Sequence, residues 1–296
     1  MAAKLNLDFY TGRDYYSDGD IEDELLEIVQ NYTDYSKVLA NDNRWPILYH
    51  LSPIRQNIIN WYPFDKNSSC LEIGGGCGAI TGALCKQLDE VKVVELSKRR
   101  SIINLERHKE HSNLEIIVGN LNDIKFNQKF DYITLNGVLE YAGSFTNTKE
   151  PYKDFLKQIK QYLKPEGKLI IAIENRYGLK YFAGAKEDHT GVEFDGITGY
   201  KNNNKVRTFG KKELEDLLEH CGYPKQDFYY PYPDYKMPLE VYTKDLLPNA
   251  DSLLTQSPNF DYERYLVFDE AEAYKGIIAN GQYEFFANSF LIICGE

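Results

Sequence analysis

The chain has 296 residues, a formal net charge of −11, 43% apolar residues and five cysteines, Cys70, Cys77, Cys85, Cys221 and Cys294. That length suits one core domain with additions, and an acidic chain without a long basic run is a poor match to a nucleic-acid backbone. An odd cysteine count without Cys-x-x-Cys spacing argues against a disulfide framework and a zinc site. The N-terminal MAAKLNLDFYTGRDYY lacks a basic-then-apolar leader pattern, and no apolar run approaches the ~20 residues of a membrane span, so a cytoplasmic location is expected.

In chain order, DGDIEDELLEIVQNY from Asp18 places acids ahead of Ile21, Leu25, Leu26, Ile28 and Val29 at helical spacing, which predicts an amphipathic helix. A second helix is expected from about Pro53 to Trp61, with proline tolerated in its first turn. These pieces define an N-terminal helical extension or cap, 1–62, ahead of a main domain over 63–296. From Ser69 strand and helix signals alternate. CLEIG is a strand, AITGALCKQL a helix, VKVVEL (91–96) a strand and RRSIINLERH a helix. LEIIV (114–118) and FDYITLN (130–136) are strands, PYKDFLKQIKQYL is a helix, and a Pro-Glu-Gly turn leads into the strand GKLIIAIE (167–174). KKELEDLLEHCG (211–222) is a helix ending at glycine, and FFANSFLIICGE a last strand. Alternation of this kind predicts a parallel α/β sheet, and near-continuous apolar strands predict helices on both faces. Two stretches break the rhythm, 175–210 and a Pro- and Tyr-rich insertion over 231–283. Long irregular insertions in a compact domain are usually lids or partner surfaces.

The strand–helix junction CLEIGGGCGAI (70–80) carries a glycine cluster. Gly74, Gly76 and Ala79 fit G-x-G-x-x-A, a dinucleotide fingerprint, and Glu72, Gly74, Gly76 and Gly78 fit E-x-G-x-G-x-G. In either reading Glu95, ending the second strand, can bind two ribose hydroxyls. A carboxylate at Glu72 adds nothing for a pyrophosphate but favours an ammonium and a sulfonium; its alternative role is a solvated charge at a strand end. The Tyr-x-x-x-Lys spacings at Tyr62–Lys66 and Tyr232–Lys236 are each interrupted by proline, which the helix of a short-chain dehydrogenase would not accommodate.

With VGNLNDI (118–124), LNGVLEYA (135–142) and YLKPEGKLIIAIEN (162–175) following in order, the sequence over roughly 69–222 resembles the class I S-adenosylmethionine-dependent methyltransferases. The resemblance implies a Rossmann-like, doubly wound, seven-stranded and mostly parallel sheet with a reversed last strand, and S-adenosyl-L-methionine as cofactor. It implies Glu72, Gly74, Gly76 and Gly78 around the methionine end, and Glu95 at the ribose. Leu96 would lie against the adenine, Asn120 and Leu121 beside its edge, and Asn136 near the methyl group. The N/D-P-P-Y motif of base-modifying amino methyltransferases is absent, with LNGVLEY in its place. YYSDGDIEDELLEIV, YHLSPIRQNII, ENRYGLKYFAGAKEDHTG and FYYPYPDYKMP further resemble a bacterial subgroup found beside glycosyltransferases in surface-polysaccharide clusters. That likeness implies a sugar, a glycan or an activated precursor as acceptor, and a glycosyltransferase as partner.

Methyl transfer to a hydroxyl needs a general base. His189 in KEDHTG is the first candidate, since imidazole titrates near neutrality; its alternative role is a loop-stabilising hydrogen bond. His50 in YHLSP is the second. Tyr141 is expected to face cofactor or acceptor. Glu174, Asn175, Arg176 and Arg207 are candidate acceptor-binding residues, with structural salt networks as the alternative. His108, His111 and His220 are expected at the surface. No cluster has metal-ligand spacing, so no metal is expected. Two other classes stay open at this level: an NAD(P)-dependent oxidoreductase using the same loop, and a non-catalytic cofactor-binding partner protein.

Overall fold

The computed structural model describes residues 2–14, 16–201, 205–253 and 263–296. The chain divides into two compact units, one of residues through Asn136 with Gln161–Leu169, the other of Gly137–Lys160 with Ile170–Glu296.

The first unit holds β1 (Lys4–Asn6), β2 (Ser69–Ile73), β3 (Glu90–Glu95), β4 (Leu114–Val118) and β5 (Phe130–Asn136). It also holds α1 (Ile21–Asn31), α2 (Ser36–Asn41), α3 (Trp45–Leu51), α4 (Thr81–Gln87) and α5 (Lys98–His108). All strand pairs in the order β1-β4-β3-β2-β5 are parallel. The chain enters at β2, moves outward to β3 and β4, and returns to β5 on the other side of β2. Such a reversal of winding opens a crevice beyond the carboxyl ends of the strands, the usual ligand position in open α/β sheets. The register levels that edge: Ile73 lies opposite both Val94 and Leu135, and Glu95 opposite Val118. Gly74, Glu95 and Asn136 therefore end their strands side by side.

The expected extension over 1–62 falls within this unit. Leu25 and Val29 of α1 and Ile47 and Leu51 of α3 share a buried core with Cys77 and Ile103. Each such apolar side chain contributes about 1.5–3 kcal/mol on burial. Polar groups fix α1 against α5. Glu22, fully buried, accepts from Arg100 Nε at 2.8 Å, and Arg100 also reaches Asp18 at 2.7 Å. The helix expected over 53–61 is a 3-10 helix, Pro53–Ile58, whose cap Ser52 accepts from Ile54 N–H. β1 had no visible signal: three residues, KLN, are too few to show a period.

The second unit contains α6 (Ala142–Phe145), α7 (Pro151–Lys160), α8 (Leu179–Phe182), α9 (Asp195–Thr198), α10 (Lys211–His220), α11 (Glu270–Ala279) and α12 (Tyr283–Phe286). Its strands are β7 (Lys225–Tyr232), β8 (Glu240–Thr243) and β9 (Ser289–Gly295), with the later part of β6 (Leu163–Glu174). β6 begins at Leu163, so the expected Pro-Glu-Gly turn is the exposed start of a strand. β9 runs antiparallel to β7, and β7 antiparallel to β8 with Pro231 opposite Val241.

Among the described residues the strand order is β1-β4-β3-β2-β5-β6-β9-β7-β8, nine strands rather than the expected seven. The two edge strands are the additions. Within the stretch 175–210, expected as a lid, Leu179, Tyr181, Ala183, Ala185, Tyr200 and Phe209 are buried, while Val192 and Phe194 are exposed. Residues 202–204 of that stretch and 254–262 of the 231–283 insertion lie outside the described residues. Among the described residues no helix is long and apolar enough to cross a membrane.

Candidate functional site

The glycine loop leaves β2 with Gly74, Gly76 and Gly78 at φ +75°, +52° and +79°, values that L side chains rarely adopt. Around Gly76 no atom lies within 4 Å of where a Cβ would stand, so the backbone there faces open space. Gly75, which neither motif template singled out, is fixed by packing. A Cβ on it would meet Val93 Cγ1 at 2.3 Å. The side of the loop facing the sheet has no room, while the tip at Gly76 is bare.

Two carboxylates flank this loop. Glu95 accepts from Gly76 N–H at 2.8 Å and from Ser97 N–H at 2.9 Å, so it orders the loop and the start of α5 together. Glu72 is 2% exposed, not a solvated strand end. It accepts from Thr81 Oγ1 at 2.6 Å, and that hydroxyl accepts from Asn104 Nδ2 at 3.0 Å. Burial pushes the Glu72 carboxyl up to about 7; the Thr81 hydrogen bond pulls the other way and nearby Glu95 adds to the rise. Burial, more than like charge, therefore keeps a proton on Glu72 that a cationic ligand could displace.

The neighbouring strand ends complete the edge. Leu121 is buried, and Asn120 caps the short turn Leu121–Asp123 by accepting from Asn122 N–H at 3.0 Å. Leu96 is partly buried. Both amide atoms of Asn136 are buried without a hydrogen-bond partner, an arrangement that costs free energy unless a ligand satisfies it. A nucleoside bearing an ammonium and a sulfonium fits this set: bare backbone at Gly76, two buried carboxyl groups beside it and an unpaired amide.

His108, expected at the surface, packs onto the loop instead. Its Nε2 lies 2.8 Å from Gly78 O, and a Cβ on Gly82 would meet its ring at 2.4 Å. Burial lowers its imidazole to about 3, so it stays neutral. Cys77 is buried and its thiol is raised to about 12, again by burial, which leaves no thiolate for redox chemistry.

His50 is engaged elsewhere in the first unit. It is buried, its Nε2 is 2.9 Å from Asp18 Oδ2, and its carbonyl accepts from Arg107 at 2.7 Å. Burial lowers its pKa. The structure thus places His50 in the network that anchors α1 and α3.

The second unit brings other predicted residues together. His189 Nδ1 lies 3.0 Å from Glu187 Oε1, and its Nε2 lies 3.6 Å from Glu140 Oε1 and 3.9 Å from Glu174 Oε2. Burial alone would lower its pKa, but Glu174, Glu140 and Glu187 outweigh burial and hold the imidazole well above its usual value. The Tyr141 ring packs edge-on to it at 5.3 Å. Glu140 is pushed upward by burial and by Glu174, with His189 opposing. Glu140, Glu187, Lys180 and Lys236 had not been singled out as site residues; they become neighbours of His189 only through tertiary contacts.

Of the remaining acceptor candidates, Asn175 is tied to backbone: its Nδ2 donates to Phe285 O and Ala287 O at 2.8 and 2.7 Å. Arg176 donates to Gly196 O at 2.8 Å and to Glu213 at 3.0 Å, and Arg207 donates to the same Glu213 oxygen at 3.0 Å. Against the expectation of no metal-ligand spacing, Glu140, Glu174 and His189 each offer one ligand atom within 4.8 Å of the others. Residues spaced 34 and 15 apart in sequence give no local motif.

The family described as "Methyltransferase domain" matches residues 71–171. A malonyl-[acyl-carrier protein] O-methyltransferase of Priestia megaterium is 24% identical over 110 residues, 37% of this chain and 38% of that protein. A tRNA (guanine-N(7)-)-methyltransferase of Lactobacillus acidophilus is 27% identical over 194 residues, 62% of this chain and 86% of that protein. Among solved structures, phosphoethanolamine N-methyltransferase 1 of Haemonchus contortus, in complex with phosphoethanolamine and S-adenosylhomocysteine, superposes with a TM-score of 0.50 at 13% identity, covering 93% of this chain and 48% of that one. The chain thus spans under half of the first and last of these relatives. The fold is the Rossmann-like α/β fold of class I methyltransferases.

Proposed function

We propose that the protein is an S-adenosylmethionine-dependent methyltransferase acting on an oxygen or nitrogen of a sugar-like or other small polar acceptor. The observation that carries the donor half is the carboxyl edge of the first unit, where Glu72 and Glu95 flank the bare backbone at Gly76 beside the unpaired amide of Asn136. Glu95 would hold the ribose hydroxyls. Gly74, Gly76 and Gly78 would let backbone approach the methionine portion, and Glu72 would favour its positive charges. Leu96 and Leu121 would flank the adenine, with Asn120 at its edge. When bound, the cofactor supplies a methyl group activated by a sulfonium, for in-line transfer to a nucleophile. The chain's task is alignment and exclusion of water.

The acceptor half rests on different ground. The net charge of −11 and the LNGVLEY sequence where base-modifying enzymes carry N/D-P-P-Y favour a non-nucleic-acid acceptor. Likeness to proteins of surface-polysaccharide clusters favours a sugar or glycan, with a glycosyltransferase as partner. Within the second unit, Glu174, Glu140 and Glu187 hold the His189 imidazole well above its ordinary pKa when no cation is bound, which disfavours a free base near neutrality at that position.

Calorimetry with S-adenosylhomocysteine and with NAD tests the donor half. Binding of the first without the second is expected; the reverse would reject the reading and restore the oxidoreductase alternative. Transfer of labelled methyl from S-adenosylmethionine to sugars and oligosaccharides, against tRNA and rRNA, tests the acceptor half. Label in RNA alone would overturn the sugar-like acceptor and leave the donor site standing.

A further inference from the structure

We infer that Glu140, Glu174 and His189 form a binding site for one oxygen-preferring divalent cation, of the Mg²⁺ or Mn²⁺ kind. The three residues come from separate places in the second unit: the short turn Leu139–Tyr141, the end of β6, and the connection between α8 and α9. Their separations, 3.6 Å and 3.9 Å from His189 Nε2 to the two carboxylates, are too long for hydrogen bonds. They suit ligands around a common ion. With ion–ligand distances of ~2.1 Å, neighbouring and opposite ligands of an octahedral shell stand roughly 3–4 Å apart.

A second observation is independent of that spacing. Glu140 is 1% exposed and Glu174 is 0% exposed, yet Glu140 Oε2 and Glu174 Oε2 have no hydrogen-bond donor. Buried carboxylate oxygens are costly unless paired or bound to a metal. The other Glu174 oxygen is met by Lys236 Nζ at 2.6 Å, which leaves Oε2 for the ion.

The surroundings also orient the ligands. Glu187 takes His189 Nδ1 at 3.0 Å and is itself held by the backbone N–H groups of His189 and Thr190, at 2.8 and 2.7 Å, and by the Tyr200 hydroxyl at 3.0 Å. A carboxylate fixing one imidazole nitrogen so that the other can ligate is the usual outer shell of a metal-bound histidine. Charge points the same way. Five carboxylates, Glu140, Glu174, Glu187, Asp188 and Asp234, share the network with two lysines, Lys180 and Lys236. Lys180 is spent on Asp188 and Asp234, at 3.0 and 2.6 Å, and Lys236 divides between Glu174 and Asp188. The deficit lies on the side of Glu140 and Glu174, and the two carboxylates favour a hard ion over a thiolate-preferring one, with Mn²⁺ accepting the imidazole more readily than Mg²⁺.

The test is Mn²⁺ binding to chelator-treated full-length protein, followed by electron paramagnetic resonance with no cofactor present. One Mn²⁺ per chain is expected, with ¹⁴N coupling from an imidazole. His189→Gln should abolish the nitrogen coupling, and Glu174→Gln should weaken binding at least tenfold, in each case with the circular dichroism of the wild type. Absence of stoichiometric Mn²⁺ in the wild type overturns the inference, whether or not the variants fold. So does Mn²⁺ that binds the wild type without nitrogen coupling, or that binds both variants as tightly. Because the readout is the metal itself, its failure leaves the methyl-transfer reading untouched, and failure of that reading leaves the metal site testable.

Discussion

Replacing Glu72 by glutamine should make the protein more stable, by an amount that grows with pH. Glu72 is 2% exposed and its carboxyl is held up at about 7, against an ordinary value of 4.5, chiefly by burial. Between those two values the folded state keeps a proton that the unfolded state has released, so folded stability falls as pH rises from 4.5 to 7 and is flat above. A gap of about 2.5 units at 1.36 kcal/mol each gives about 3 kcal/mol of stability lost across that window. Glutamine resembles the protonated acid in shape, can still accept from Thr81 and does not ionise. The variant should match the wild type near pH 5 and exceed it by up to about 3 kcal/mol at pH 8. Urea denaturation at half-unit intervals from pH 5 to 8.5 reads the difference directly. A difference that stays constant across that range would show that Glu72 ionises normally in the fold, and the account of a buried carboxyl awaiting a cationic ligand would fail with it.

The same raised carboxyl predicts ligand behaviour. A bound ammonium pulls the Glu72 proton off, so affinity for S-adenosylhomocysteine should rise as pH climbs towards about 7 and level off above it, by up to tenfold per unit by which the carboxyl is lowered; calorimetry on Glu72→Gln should show no such rise. Glu95→Ala removes a carboxylate that holds Gly76 and Ser97 N–H groups and, on the proposed reading, the ribose. At ~1.5–3 kcal/mol per charged hydrogen bond, affinity should fall at least tenfold, and unchanged affinity would take Glu95 out of the site. Arg100→Met leaves Glu22 fully buried beside one less partner, so denaturation should show a loss of about 3–5 kcal/mol, largely recovered when Glu22→Leu is added. A loss below ~1 kcal/mol would mean that α1 is held by its apolar face alone.

Much of the first unit was legible because its signals are local. Apolar strands of five to seven residues, separated by helices with regular periodicity, give both the type and the order of β2 to β5, and glycines with positive φ mark the turn that leaves β2. Glu72 and Glu95 were legible for the same reason: each sits a fixed number of residues from a strand end. What escaped depends on contacts distant in sequence. Gly75 is required by Val93, and His108 is drawn in by Gly78 and Gly82. β7 was hidden by its composition, since KQDFYYPY ends in a Tyr- and Pro-rich run that reads as loop until Pro231 is seen opposite Val241. Asn175 and Arg176 were chosen for ending a strand, yet their polar atoms are consumed by Phe285, Ala287, Gly196 and Glu213, partners that no spacing rule supplies.

The His189 cluster exposes the limit of reading a base from residue type. A histidine in a polar, glycine-flanked loop suggests an imidazole poised near neutrality, but that expectation assumes solvent around it. Here the side chain is only 7% exposed and lies among Glu174, Glu140 and Glu187, whose attraction outweighs the desolvation that would otherwise keep it neutral. Titrating the His189 imidazole by NMR in metal-free protein separates the two pictures. A ring that stays protonated above pH 8 follows from the three carboxylates. Glu187→Gln should lower its midpoint by removing one of them, with the backbone N–H groups of His189 and Thr190, which share one Glu187 oxygen, still able to hold the amide oxygen in place. A midpoint at or below the ordinary 6.5 in the wild type would mean that burial wins and the carboxylates carry protons of their own. The second unit would then lack the unbalanced negative charge on which a cation depends.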